Sequence, residues 1–131
     1  MAIGLNSTNL ANAMLNGIRG TSFSIAATWI QLHTGDPSST GTANPSAVTI
    51  RNSASFAAAT ASAGSSSIAL AAAPASWTMT ASETISSISV WTASSAGLPL
   101  WTANLTVQKT VASGDTLTLN TCGLSLAPLA V

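Results

Sequence analysis

Charge is what this sequence has least of. Only three basic and three acidic side chains occur in 131 residues, while 47% of the chain is hydrophobic; soluble domains ordinarily devote about a quarter of their residues to charge. The outside is therefore expected to be built from Ser, Thr, Asn and Ala. Such a skin suits a part packed against other parts, because copies repel one another little and few long charged side chains are immobilised on contact. Arg19, Arg51 and Lys109 are too few and too scattered to neutralise a phosphate backbone, so no nucleic-acid partner is expected. The single cysteine, Cys122, excludes an internal disulfide framework and reads as a small buried hydrophobe on the last strand. No apolar run approaches the ~20 residues of a membrane helix, and Met1–Leu5 lacks the basic and apolar regions of a secretory signal. Neither a membrane partner nor export is expected.

Chemical groups are equally scarce. His33 is the one side chain that titrates near neutrality, and with Asp36 and a serine it would complete a Ser-His-Asp set. The two straddle a tight turn, however, where Asp36 is better used to accept from its own backbone ahead of Pro37. There is no nucleophile elbow, phosphate loop or paired metal-ligand spacing. No catalytic residue, cofactor or metal is expected, and the chain is not read as an enzyme.

What the sequence has in abundance is Ala, Ser and Thr, at 25, 21 and 18 residues. A disordered polymer of small residues is excluded, because Val, Ile, Leu and four Trp recur at regular intervals between turn signals. After a cap at Asn6, Ser7 or Thr8, the stripe Leu10, Met14, Ile18, widened by Ala11 and Leu15, predicts one short helix ended by Gly17 and Gly20. From Thr21 onward the period is two. Thr28–His33, Val48–Arg51, Ile68–Leu70, Trp77–Thr80, Ser87–Thr92, Leu98–Thr102, Leu105–Val107, Thr116–Leu119 and Leu124–Leu126 alternate apolar with hydroxyl residues, giving seven to nine strands separated by Gly, Pro, Asn and Asp turns.

The expected fold is mainly β: one domain over residues 1–131, with an N-terminal arm and helix over 1–20 and an antiparallel β-sandwich or jelly-roll-like unit over 21–131. Pro99 cannot donate to a ladder and implies an edge or a bulge. Sheet edges are normally protected by charge, so here loops or other subunits are expected to cover them. Trp77 falls in phase with Met79 and belongs to the core, whereas Trp91 and Trp29 fall out of phase with their apolar neighbours and are expected to face outward. Ile3, Leu5, Leu10, Met14, Trp29, Trp91, Pro99 and Trp101 are the candidate assembly-interface residues. Met1–Leu5 is either a free arm or a strap across a neighbour.

The segment Gln31-Leu32-His33-Thr34-Gly35-Asp36-Pro37-Ser38-Ser39-Thr40-Gly41-Thr42-Ala43-Asn44 resembles the LHTxDPGxxGxN segment of a family of small structural proteins of tailed bacteriophages. Ser87–Thr92 is similar to that family's strand ending in Trp, Ala96–Leu100 to its Gly-containing hairpin, and Val111–Leu117 to its AGDTL turn. Where the family often carries acidic residues, this chain has Pro45 and Thr92. The resemblance implies a virion protein made in the host cytoplasm, variously capsid decoration, head fibre or minor tail. The leading expectation is a decoration protein that binds and stabilises the outside of the assembled head, with the major capsid protein as partner and a homotrimer as the favoured state. A minor tail or fibre protein contacting the host is the alternative, and a carbohydrate-binding module presenting outward Trp side chains is a third.

Overall fold

The computed structural model describes residues 3–72 and 76–130; Met1 and Ala2 of the expected arm, Ala73 at the end of the Ala/Ser-rich stretch, and Val131 lie outside them. Among the described residues there are ten strands and a short helix. A five-stranded antiparallel sheet runs in the order β1 (Gly4–Leu5), β8 (Pro99–Val111), β7 (Glu83–Trp91), β2 (Thr28–His33), β3 (Asn52–Ala54). A three-stranded sheet has the order β10 (Gly123–Leu126), β5 (Ser65–Ala69), β4 (Thr60–Ser62), and β6 (Trp77–Thr78) pairs with β9 (Thr116–Leu117). The mainly β, antiparallel class with one short N-terminal helix is as the period of two predicts.

The core lies on one face of the large sheet. Ile30, Leu32, Ile88, Val90, Leu100 and Trp101 are buried there with Trp77 and Met79, while Phe56, Leu70, Leu117 and Leu124 of the smaller sheets and their flanks pack against them. Burying each such large side chain contributes about 1.5–3 kcal/mol. Trp77 is 2% exposed and its indole N–H donates to Ile50 O at 3.0 Å, which fits its assignment to the core.

Several boundaries differ from expectation for identifiable reasons. Val48–Arg51 is not a strand, because its backbone and side chains are tied elsewhere: Val48 N donates to Ser46 Oγ and Ile50 O accepts from Trp77. Leu98–Thr102 and Leu105–Val107 merge into the single strand β8. Its register against β7 slips between the pairs Ser87↔Asn104 and Ile85↔Lys109, so Leu105–Gln108 forms a wide bulge. Pro99 sits at the start of β8 beside a second irregularity at Val90/Trp91, so the bulge reading holds and the edge reading does not. The outer side of β8 there is covered by β1, with Gly4↔Thr102 and Leu5↔Trp101 in register and Asn6 N donating to Leu100 O at 2.7 Å. The described part of the arm is thus a strap on its own subunit.

The helix begins as a π turn over Ser7–Ala11 and continues as α1 (Asn12–Ile18). Asn6 is the cap: its side-chain oxygen accepts from Thr8 N at 3.1 Å and Asn9 N at 2.8 Å. Only the first part of the predicted stripe is seated. Leu10 is buried and Met14 packs against the core, but Leu15 and Ile18 are 63% and 84% exposed.

Within the chain itself the sheet edges are blunted by other means. Outer strands are kept short instead: two residues in β1, three in β3 and β4, four in β10. The exposed half of β8 is broken by its bulge, with Lys109 beside it; both are devices that blunt an edge.

Gly41 shows how closely the chain packs over the large sheet. Its φ is +70°, and a Cβ there would lie 2.9 Å from Trp91 Cζ2 and 3.3 Å from Pro99 Cβ. Gly41→Ala is expected to cost about 2–4 kcal/mol from backbone strain and overpacking together. Gly114→Ala, at φ +93° with open space around it, should cost only the strain, about 1 kcal/mol. Equal denaturation midpoints for the two variants would contradict the packing described.

Candidate functional site

The strongest concentration of polar groups lies on the second face of the large sheet. Trp29, Gln31 and His33 of β2 stand in register with Trp91, Ser89 and Ser87 of β7. Strand alternation alone would turn this face to solvent. Instead the loop after β2 folds back over it: Thr34 N donates to Asn44 O at 2.9 Å, Ser46 N to Leu32 O at 3.0 Å, and His33 bridges to Pro45. Positive φ at Ser38, Gly41 and Asn44 makes the reversal possible. Gln31, His33, Ser46, Ser87, Ser89 and Thr102 are all buried polar residues as a result.

His33 and Ser89 are fully buried and 2.7 Å apart, Nε2 to Oγ. That separation would serve an activated nucleophile, but the surrounding bonds assign it otherwise. His33 Nδ1 lies 2.8 Å from Ala43 O, and a carbonyl only accepts, so Nδ1 carries the proton. Nε2 is then an acceptor and the Ser89 hydroxyl donates to it. Ser89 Oγ in turn accepts from Trp91 Nε1–H at 2.7 Å. The chain Trp91, Ser89, His33, Ala43 runs in one direction with every member satisfied. Asp36 is not part of it; its carboxylate accepts from Ser38 N at 2.8 Å, the turn role its sequence context implies. Burial holds the His33 pKa below its ordinary 6.5, outweighing the neighbouring carbonyls that favour the charged form, and Arg51 lowers it further.

Arg51 closes the same face. Its guanidinium carbon sits 3.6 Å from the centre of the Trp91 ring, and its N–H groups donate to Gln31 Oε1 at 3.0 Å, Ala93 O at 3.1 Å and Ala96 O at 2.7 Å. Glu83 has a matching duty on the loop, accepting from the Ser46 hydroxyl and from Ala47 N at 3.1 Å. Trp91 is therefore only 4% exposed. The outward reading of this residue is corrected: its phase is as predicted, but the face it points to is covered.

The candidate interface residues divide accordingly. Leu10, Trp91 and Trp101 are buried within the chain, so none offers a free surface, whereas Ile3, Leu5, Met14, Trp29 and Pro99 are half-buried. Ile3, Leu5, Pro99 and Trp101 line one small hollow beside the strap. Met14 and Trp101 also line a groove of about 560 Å³ between the helix and the three-stranded sheet, with Phe23, Ile25, Phe56 and Leu126 among its other walls. Phe56 meets Trp101 edge to face, centroids 5.4 Å apart, and the Trp101 indole N–H, closed from solvent, has no acceptor among the described residues. Phe23 and Phe56 were not singled out by sequence, since they lie in segments with no clear period, and Leu126 was read only as part of the closing strand Leu124–Leu126.

A second hollow, about 710 Å³, lies between the bulge of β8 and the segment 117–123. Half-buried Cys122 is in its wall, and burial pushes the thiol up to about 11, so it is protonated at neutral pH. No group of three or more His, Cys, Asp or Glu able to hold a metal ion occurs among the described residues, and no helix there is long and apolar enough to cross a membrane.

A family model described as Podophage GP4 fiber I protein gp80 matches residues 6–127, nearly the whole chain. The chain belongs to that family of phage structural proteins. No curated protein matches it.

The buried histidine makes stability pH-dependent. Its pKa is lower folded than the unfolded 6.5, so between those two values the unfolded chain holds more protons. The contribution is complete above about pH 6.5 and is lost as pH falls toward the folded value. Thermal unfolding should show a midpoint that drops as pH falls below about 6.5, ahead of carboxylate titration. His33→Gln should flatten that slope, whatever its own stability; an unchanged slope would exclude His33 as the source.

Proposed function

We propose that this chain is a non-enzymatic structural protein of the phage virion, built into a fibre, and that it acts by binding neighbouring protein subunits. The observation that carries this reading is the match of residues 6–127 to a fibre-protein family. The geometry is consistent with it. His33 and Ser89, the pair best placed for chemistry, are sealed inside a satisfied hydrogen-bond chain. Arg51, Glu83, Asp36 and Asp115 hold the subunit's own loops and turns, Asp115 by accepting from Ala112 N at 2.8 Å. Affinity for a partner then rests on apolar and hydroxyl contacts, multiplied by the symmetry of an assembly.

The family match supports a fibre over the capsid decoration that composition and motif resemblance first favour, and the major capsid protein is a partner only on the decoration reading. A glycan platform is supported less, because Trp91 and Trp101 are buried and Trp29 is half-buried. A homo-oligomer, with a trimer the favoured state, belongs to the same proposal.

Reconstruction of purified virions, with the subunit counted by quantitative mass spectrometry, tests the assignment. Density for this fold in a projecting fibre, at a copy number that is a small multiple of the number of fibres, is expected. Density on the capsid shell at one or more copies per capsomer would replace the fibre reading with decoration.

A further inference from the structure

The loop over residues 34–46 is seated on the large sheet through a ring that has room for one proton and not for two. His33 Nδ1–H donates into the loop, to Ala43 O at 2.8 Å, and Nε2 accepts from the Ser89 hydroxyl on β7 at 2.7 Å. A proton added to Nε2 would donate to Ser89 Oγ, which already accepts from Trp91 Nε1–H at 2.7 Å. The Ser89 hydroxyl hydrogen would then be turned away from its acceptor, buried and with no other among the described residues. The charged groups on the surrounding elements are Arg51, Glu83 and Asp36. Arg51, on the segment after the loop, opposes a charged ring; Glu83, at the start of β7, is bonded to Ser46 Oγ and Ala47 N, and Asp36, in the loop, to Ser38 N. Burial disfavours the charged ring most, against the backbone of Ala43 and Asn44, which favours it.

The loop is the element that yields. β2 and β7 are joined by backbone pairing from Trp29↔Trp91 to His33↔Ser87, which the state of the ring does not alter. The loop instead holds Ser38 and Asn44 at φ +63° and +48°, a conformation that residues with side chains seldom adopt. Its ties to the rest of the chain are isolated bonds, among them Ser46 N to Leu32 O at 3.0 Å and Asn6 Nδ2–H to Ser39 O at 2.9 Å. We propose that the loop is an acid-released cover: protonation of His33 lifts residues 34–46 from β2 and β7 while the sheet stays paired, and bares the edge of Trp91 that Gly41 now closes. Arg51 stays on the Trp91 ring, because its bonds run to Gln31, Ala93 and Ala96 and none of these is in the loop. The surface uncovered is a strip of Gln31, Ser89 and indole edge that the neutral subunit keeps shut. This device goes beyond the structural role proposed above and does not depend on where in the virion the subunit sits.

Amide hydrogen exchange followed by NMR on the full chain, corrected for the intrinsic effect of pH and read beside the His33 ring titration, tests this. From about pH 7.5 to about pH 5 the amides of Thr34, Ala43 and Ser46 should lose protection by about tenfold or more, while the paired amides of β2 and β7 keep theirs. Glu83→Gln removes the other titratable brace and should keep the response; His33→Gln should lose it. Protection of Thr34 and Ser46 that is unchanged down to about pH 5, or that survives protonation of the ring, overturns the proposal. So does a response abolished in Glu83→Gln, which would assign it to the carboxylate. Loss of protection that spreads to β2 and β7 in the same step also overturns it, because protonation would then unfold the subunit and not lift a cover. Where His33→Gln does not fold, the wild-type ring titration set against the Ser46 amide still decides.

Discussion

The hydrogen-bond chain from the Trp91 indole through Ser89 and His33 to the Ala43 carbonyl is the constraint on which the rest of this structure depends. It joins β7, β2 and the loop after β2, and it does so at residues closed from bulk solvent, His33 and Ser89 being fully buried. Removing one member leaves a buried donor or acceptor unsatisfied, at about 1–3 kcal/mol each. The direction of the chain is fixed at its carbonyl end, so histidine has one tautomer and serine one rotor position. With that chain in place the loop is held in a conformation needing left-handed backbone at Ser38, Gly41 and Asn44, and Trp91 gains a roof.

The shortage of charge takes on a different meaning in this setting. Composition suggests a surface stripped of ions for the sake of assembly. Four of the six ions are braces within the chain: Arg51 spans from Trp91 to the backbone at Ala93 and Ala96, Glu83 ties down the 46–47 segment, and Asp36 and Asp115 close turns. Such groups act as local fasteners with several acceptors or donors apiece, which is how a partly buried charge is tolerated. A protein with so few charges has used them where small hydroxyls would not reach.

Much of this architecture is legible in the sequence. Thr28–His33 is found to the residue, and the strand ending at Trp91 is found at its C-terminal end although it starts at Glu83 and not Ser87, because one of their faces is uniformly apolar and the turn residues after them are unambiguous. Trp77 and Met79 are legible as core for the same reason. The covered second face is not, since period-two alternation of apolar and hydroxyl residues looks alike whether the hydroxyls meet water or a loop. One signal was available: Gln31, Ser87 and Ser89 occupy positions where an exposed strand would carry Lys or Glu. The helix failed in part because its stripe is longer than the surface available to seat it, leaving Leu15 and Ile18 outside. The groove walls were invisible because Phe23, Phe56 and Leu126 come together from three distant segments.

The short outer strands and the bulge at Leu105–Gln108 bear on what happens before any particle is built. A β protein faces the hazard that one sheet templates the next without limit. Here backbone pairing is cut off after a few residues on every outer strand. Sheet extension from one copy to the next is thereby limited by backbone geometry, where most proteins rely on charge.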